Sequence, residues 1–147
     1  MPAKTVAIAC DHAGINLKSV LKQDLEDLGY SSLDLGTNGP ESVDYPDFGQ
    51  AMGEAIADGR ADMGVLVCGS GIGISIAANR NPAVRAAVVT NALTAQLSRL
   101  HNDANVVCFG ERLVGSEIAR DAMKVFLETE FEGGRHARRV DKLSVTP

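Results

Sequence analysis

Five short runs of small and aliphatic residues alternate with helical patterns along this chain, and that alternation constrains the fold more than any other feature. "TVAIA" (5–9), "SSLDLG" (31–36), "MGVLVC" (63–68), "VRAAVV" (84–89) and "ANVVCF" (104–109) read as strands. Between them, "NLKSVLKQDLEDLG" places Leu17, Leu21, Leu25 and Leu28 on one helical stripe and stops at Gly29. "DFGQAMGEAIADG" puts Phe48, Met52 and Ile56 on one face, after a loop, "TNGPESVDYP" (37–46), marked by its Gly, Pro and Asn. "TNALTAQLSRLHN" predicts a helix with Leu93, Leu97 and Leu100 inward, and "GSEIARDAMKVFLETEF" a long helix with Ile118, Ala122 and Phe126 inward. Strands joined in this way need cover on both faces of a parallel sheet. The expected fold is α/β: a three-layer α/β/α Rossmann-like domain with a five-stranded parallel sheet.

No linker, repeat or low-complexity tract interrupts the 147 residues, so they read as one domain. Only the tail changes character: within 133–147, "GGRHARRV" packs Arg135, Arg138 and Arg139 around one histidine. The formal net charge of −5 argues against a nucleic-acid partner, which would call for a basic surplus. Three cysteines, Cys10, Cys68 and Cys108, are odd in number and widely spaced, which argues against a disulfide framework or a structural zinc site. The start, "MPAKTVAIAC", lacks the pattern of a secretory signal, and no run approaches the ~18 apolar residues of a membrane span. The expectation is a cytoplasmic protein with reduced thiols and no membrane partner.

Ligands of such sheets bind at the carboxyl ends of the strands. Strand one ends in Cys10, Asp11 and His12; strand three ends in "CGSGIG" (68–73); "HND" (101–103), the end of a helix, is expected to fold toward the same edge. A glycine loop before a helix offers main-chain N–H groups to an anion. It is not a Walker loop, because no lysine follows. It is not a dinucleotide fingerprint, because position 74 is Ile74 instead of glycine and "AAVVTN" holds no carboxylate. A cysteine-phosphatase loop would need arginine at that same position. What remains is a thiol beside oriented donors. A helix N-terminus favours a thiolate, and a thiolate next to oxyanion donors suits removal of a proton alpha to a carbonyl. Ser70 is placed to shuttle a proton between neighbouring oxygens. Cys10 and Cys108 sit in no glycine loop and read as structural.

"CDHAG", "DYP", "CGSGIGISIAAN", "QLSRLHNDANV", "FGER" and "EGGRHARRV" together resemble, in order and over residues 6 to about 141, the motifs of the type B ribose-5-phosphate isomerases within the wider RpiB/LacAB sugar-phosphate isomerase family. The resemblance implies a metal-free, cofactor-free aldose–ketose isomerase that interconverts D-ribose 5-phosphate and D-ribulose 5-phosphate through an enediolate. It implies Cys68 as the base and Ser70 as the hydroxyl that assists proton movement, with Gly69, Gly71 and Gly73 surrounding the enediolate. It implies ring opening by His101, contact of Asn102 with sugar oxygens, and Asp11 and His12 near the ring oxygen and phosphate end. Tyr45 would line the pocket, and Arg112, Arg135 and Arg139 would hold the phosphate. Arg138 receives no role. Family members without the cysteine use a glutamate that would fall at Ile74, so this chain resembles the cysteine branch. The family also implies a homodimer, or a dimer of dimers, with shared sites. Two alternatives stand beside this reading: the same chemistry on a six-carbon sugar phosphate (allose or galactose 6-phosphate), and a non-catalytic sugar-phosphate-binding paralogue.

Overall fold

The computed structural model describes residues 4–144. Five strands, β1 (Thr5–Cys10), β2 (Ser31–Asp34), β3 (Met63–Cys68), β4 (Ala86–Val88) and β5 (Val106–Gly110), pair in parallel in the order β2-β1-β3-β5-β4. The described residues also form six helices, α1 (Ile15–Asp27), α2 (Tyr45–Ala57), α3 (Ile72–Asn79), α4 (Ala92–Asn102), α5 (Ser116–Glu128) and α6 (Arg135–Leu143), with a 3-10 turn at His12–Gly14. The expected three-layer arrangement is present. Strand residues alternate between two cores. Val6, Ile8, Val65, Val67 and Phe109 pack with Leu21 and Leu25 of α1 and Met123 and Phe126 of α5. Ala7, Ala9, Leu66 and Cys108 pack with Met52 of α2 and Ile74 of α3. The sheet therefore has one face covered by α1, α4 and α5 and the other by α2 and α3. Between β1 and β3 the chain departs to opposite sides, which opens a crevice at their carboxyl ends.

Several boundaries and faces differ from the sequence expectation. The loop before α2 is shorter, because Tyr45 and Pro46 already lie in the helix; Pro46 occupies the first turn, where an N–H has no intrahelical partner. β4 has only three residues, since the Arg85 and Ala86 N–H groups go to the side-chain oxygens of Asn105 and Asn79 (2.7 Å each). Leu28 and Ile118 are exposed, as are Leu93 and Leu97 (61% and 38%), while Ala95, Ser98 and Arg99 are the buried residues of α4. The cause is Arg99. Its guanidinium lies over the Phe126 ring at 5.8 Å, reaches Thr129 O and Ala104 O, and pairs with Asp103 at 2.8 Å, so α4 turns this side chain toward α5.

A buried ion pair ties the edge of the sheet to α1. Lys18 Nζ donates to Asp34 Oδ1 at 2.8 Å and to Asn38 Oδ1 at 2.7 Å, with Lys22 on the other carboxylate oxygen at 3.2 Å. Burial pushes the Asp34 carboxyl up, but Lys18, the Gly36 N–H and Lys22 outweigh it and hold it below the usual range. Replacing Lys18 by methionine leaves a mostly buried carboxylate held only by Lys22 and the Gly36 N–H, at an expected cost of about 3 kcal/mol at pH 7. Because the folded pKa is depressed, this stabilisation is complete above the unfolded value of about 3.9 and is lost as pH falls through the lower folded value. Urea midpoints at pH 7 and pH 3 check both points: the deficit of the variant should be large at the first and shrink at the second.

Candidate active site

The crevice is a cavity of about 630 Å³ lined by residues from the ends of β1, β3 and β5 and from α2 and α3. Asp11, His12, Tyr45, Cys68, Gly69, Ser70, Gly73 and Arg112 all face it. Each is placed by a local feature of the sequence. Asp11 ends β1, is 7% exposed, and caps the 3-10 turn by accepting the Ala13 N–H at 3.0 Å. His12 Nδ1 accepts the Val43 N–H at 3.1 Å, so the neutral ring carries its proton on Nε2. Arg112 follows β5. Its guanidinium lies against Gly69, where a Cβ would meet Nη1 at 3.2 Å, and it forms no ion pair among the described residues.

Cys68 is the last residue of β3 and is 4% exposed, yet its small remaining surface belongs to the cavity. The Gly71 N–H donates to its Sγ at 3.1 Å. Gly71 is the N-cap of α3 at φ 79°, and an added Cβ would lie 2.9 Å from the Phe109 carbonyl carbon. Only glycine takes both the conformation and the space. Gly73 serves a different need: a Cβ there would meet the Tyr45 ring at 2.6 Å. Ser70 Oγ accepts the Ile72 N–H at 3.2 Å, which leaves its own proton to donate. The other two thiols are of another kind. Cys10 and Cys108 are fully buried; burial pushes Cys10 up to about 11 and pushes Cys108 up as well, helped by the adjacent Cys68.

His101, Asn102, Arg135 and Arg139 are not at this cavity. The expectation that the end of α4 folds toward the same edge is incorrect within one chain: a helix that follows a parallel strand runs back, so His101 and Asn102 lie where β5 begins, at the amino-terminal edge of the sheet. Asn102 instead borders a separate cavity of about 430 Å³ with Arg85 and Leu143. The segment before α6 is held to α4 through the Glu132 N–H on Leu100 O (3.2 Å), and the His101 and His136 rings stack at 4.5 Å. Arg135 and Arg139 extend from the exposed side of α6 at this same end. Burial, then the charges of Arg135 and His101, hold the His136 ring below the ordinary histidine value.

Other residues of the site escaped the sequence reading. Glu111, beside Arg112 in "FGER", accepts the Leu17 N–H at 2.6 Å and so fixes the first turn of α1 next to Asp11 and His12. Ile72, Ile76 and Leu113 form an apolar rim, 53%, 58% and 65% exposed. Nothing in their spacing sets them apart from core residues.

A model of the ribose/galactose isomerase family matches residues 6–143. The chain belongs to the ribose/galactose isomerase family. It is 43% identical over 141 residues to ribose-5-phosphate isomerase B of Escherichia coli (96% of this chain, 95% of that protein). It is 41% identical over 140 residues to the putative sugar phosphate isomerase YwlF of Bacillus subtilis (95% and 94%). Among solved structures, ribose-5-phosphate isomerase B of Clostridium thermocellum superposes with a TM-score of 0.94 at 51% identity, covering 95% of each chain. The Mycoplasma genitalium enzyme with bound ribulose-5-phosphate superposes with a TM-score of 0.90 at 38% identity, covering 95% of this chain and 93% of that one. No helix among the described residues is long and apolar enough to cross a membrane.

Proposed function

We propose that this chain interconverts D-ribose 5-phosphate and D-ribulose 5-phosphate by proton transfer through an enediolate, with Cys68 as the base. The observation that carries the reading is the Cys68 sulfur, which accepts the Gly71 N–H at the helix N-terminus and faces a polar cavity. In the open-chain aldose the thiolate takes the proton from C2 and returns it to C1. The electron pair passes to the carbonyl oxygen, where the glycine loop and the amino end of α3 stabilise the negative charge. Ser70 gives its proton to one of the two sugar oxygens and recovers one from the other. Asp11 and His12 bind the sugar's ring-oxygen side, Tyr45 closes the wall over Gly73, and Arg112 contributes a guanidinium fork for the phosphate.

A second copy of the chain completes the site. Its His101 opens the furanose ring, its Asn102 binds sugar oxygens, and its Arg135 and Arg139 share the phosphate. Two observations support this: these four residues lie at the opposite edge of their own sheet, and the cavity is rimmed by exposed Ile72, Ile76 and Leu113, the kind of apolar surface that a partner covers. The three free, buried thiols suit a reducing cytoplasm.

Substrate length is tested by comparing kcat/KM for ribose 5-phosphate, allose 6-phosphate and galactose 6-phosphate. The reacting C1–C2 unit is the same in each, and only the reach to the arginines differs. The five-carbon substrate should win by at least roughly tenfold. A preference of that size for a six-carbon sugar would reassign the substrate and leave the chemistry intact. Tight phosphosugar binding without turnover would make the chain a non-catalytic paralogue.

A further inference from the structure

Tertiary structure brings together three potential metal ligands that the sequence keeps 31 and 4 residues apart. His101 ends α4, Glu132 lies just before α6, and His136 is in the first turn of α6. One donor atom from each lies within 4.8 Å of the other two. The decisive member is His136: it is 6% exposed, and its Nε2 has no hydrogen-bond partner among the described residues, the nearest carboxylate oxygen being Glu132 Oε2 at 4.0 Å. A buried imidazole nitrogen left without a partner is destabilising, so its persistence needs a reason.

We propose that His101, Glu132 and His136 form a binding site for a divalent transition-metal ion of the zinc type. Two borderline imidazole nitrogens with one carboxylate oxygen are a donor set that zinc accepts, and three protein ligands leave a fourth position for water or an anion. Zinc–ligand bonds of about 2.0–2.2 Å require the donors to close in from their present separations. The side chains able to move are Glu132, half exposed, and His101, partly exposed at a helix end; His136 is the fixed point. The rings stack 18° from parallel, so His101 must rotate to bring a nitrogen to the ion. Arg135 and Arg139 lie on the same short helix and weaken the hold on a cation, which makes the ion exchangeable. The ion takes no part in the isomerisation. It occupies His101, and, resting on the ring-opening role proposed above, its binding is a reversible brake on the enzyme.

Titration of the full chain with zinc chloride by calorimetry, in a non-chelating buffer, tests the site. A Cys68→Ala background removes the accessible thiol as a competing ligand. One ion per chain is expected, with affinity lowered at least about tenfold in His136→Gln and in Glu132→Gln. Glu132 is half exposed, so its variant keeps the fold even if the His136 variant does not. Absence of zinc uptake, or affinity unchanged in Glu132→Gln and in a folded His136→Gln, would overturn the site. Zinc bound through the three residues without inhibiting the wild-type enzyme would leave the site standing and remove the role of His101 in ring opening.

Discussion

Replacing Cys68 by alanine should lower kcat for ribose 5-phosphate by on the order of 10²–10⁴, with KM little changed, because the thiolate acts on the carbon-bound proton and contributes little to ground-state binding. The fold should survive. The side chain sits at a strand end with its sulfur on the cavity, and losing one buried atom there costs about 1 kcal/mol. Steady-state kinetics and a thermal melt check the two halves separately. The same logic predicts the outcome of alkylation. Iodoacetamide should add once per chain, at Cys68, and ribulose 5-phosphate should slow it. Cys10 and Cys108 are fully buried and held in the thiol form by that burial. A turnover near that of the wild type in Cys68→Ala would remove the thiolate mechanism. Labelling of Cys10 or Cys108 ahead of Cys68 would show that the accessibility argument is wrong.

The second large effect is the recovery of activity from two inactive proteins. Cys68→Ala and His101→Asn should each be nearly inactive. If every site takes Cys68 from one copy and His101 from the other, a mixed dimer holds one doubly altered site and one fully native site. Unfolding and refolding the two variants together in equal amounts makes half the dimers mixed, so activity should return to roughly a quarter of the wild-type value. If Cys68 and His101 of the same chain served one site, no mixed dimer would contain a native site and the mixture would stay inactive. The experiment reads the arrangement directly, because it depends only on which chain supplies each residue.

Much of this was legible in the residues themselves. Alternating apolar runs and helical stripes determined a covered parallel sheet, since no other arrangement buries both faces of "TVAIA" and "MGVLVC". The placement of Asp11, His12 and the Cys68 loop at strand ends also followed, because a strand's polar terminus can only emerge at the edge of the sheet. Helix rotation did not follow. Leucine spacing favoured Leu93 and Leu97 as the inner face of α4, but Arg99 found Asp103 one helical turn on, and also Phe126 and the Ala104 and Thr129 carbonyl groups, contacts 5 to 30 positions away that no helical periodicity encodes. Nor did the position of His101. Its motif belongs with that of Cys68 in the sequence pattern, yet the return direction of α4 carries it to the far edge of its own sheet. The sequence determined which chemistry the chain possesses, since side-chain identity and local periodicity are properties of neighbouring residues. Only the tertiary structure decided which groups meet within one chain, because that depends on strand order, helix rotation and contacts between distant segments.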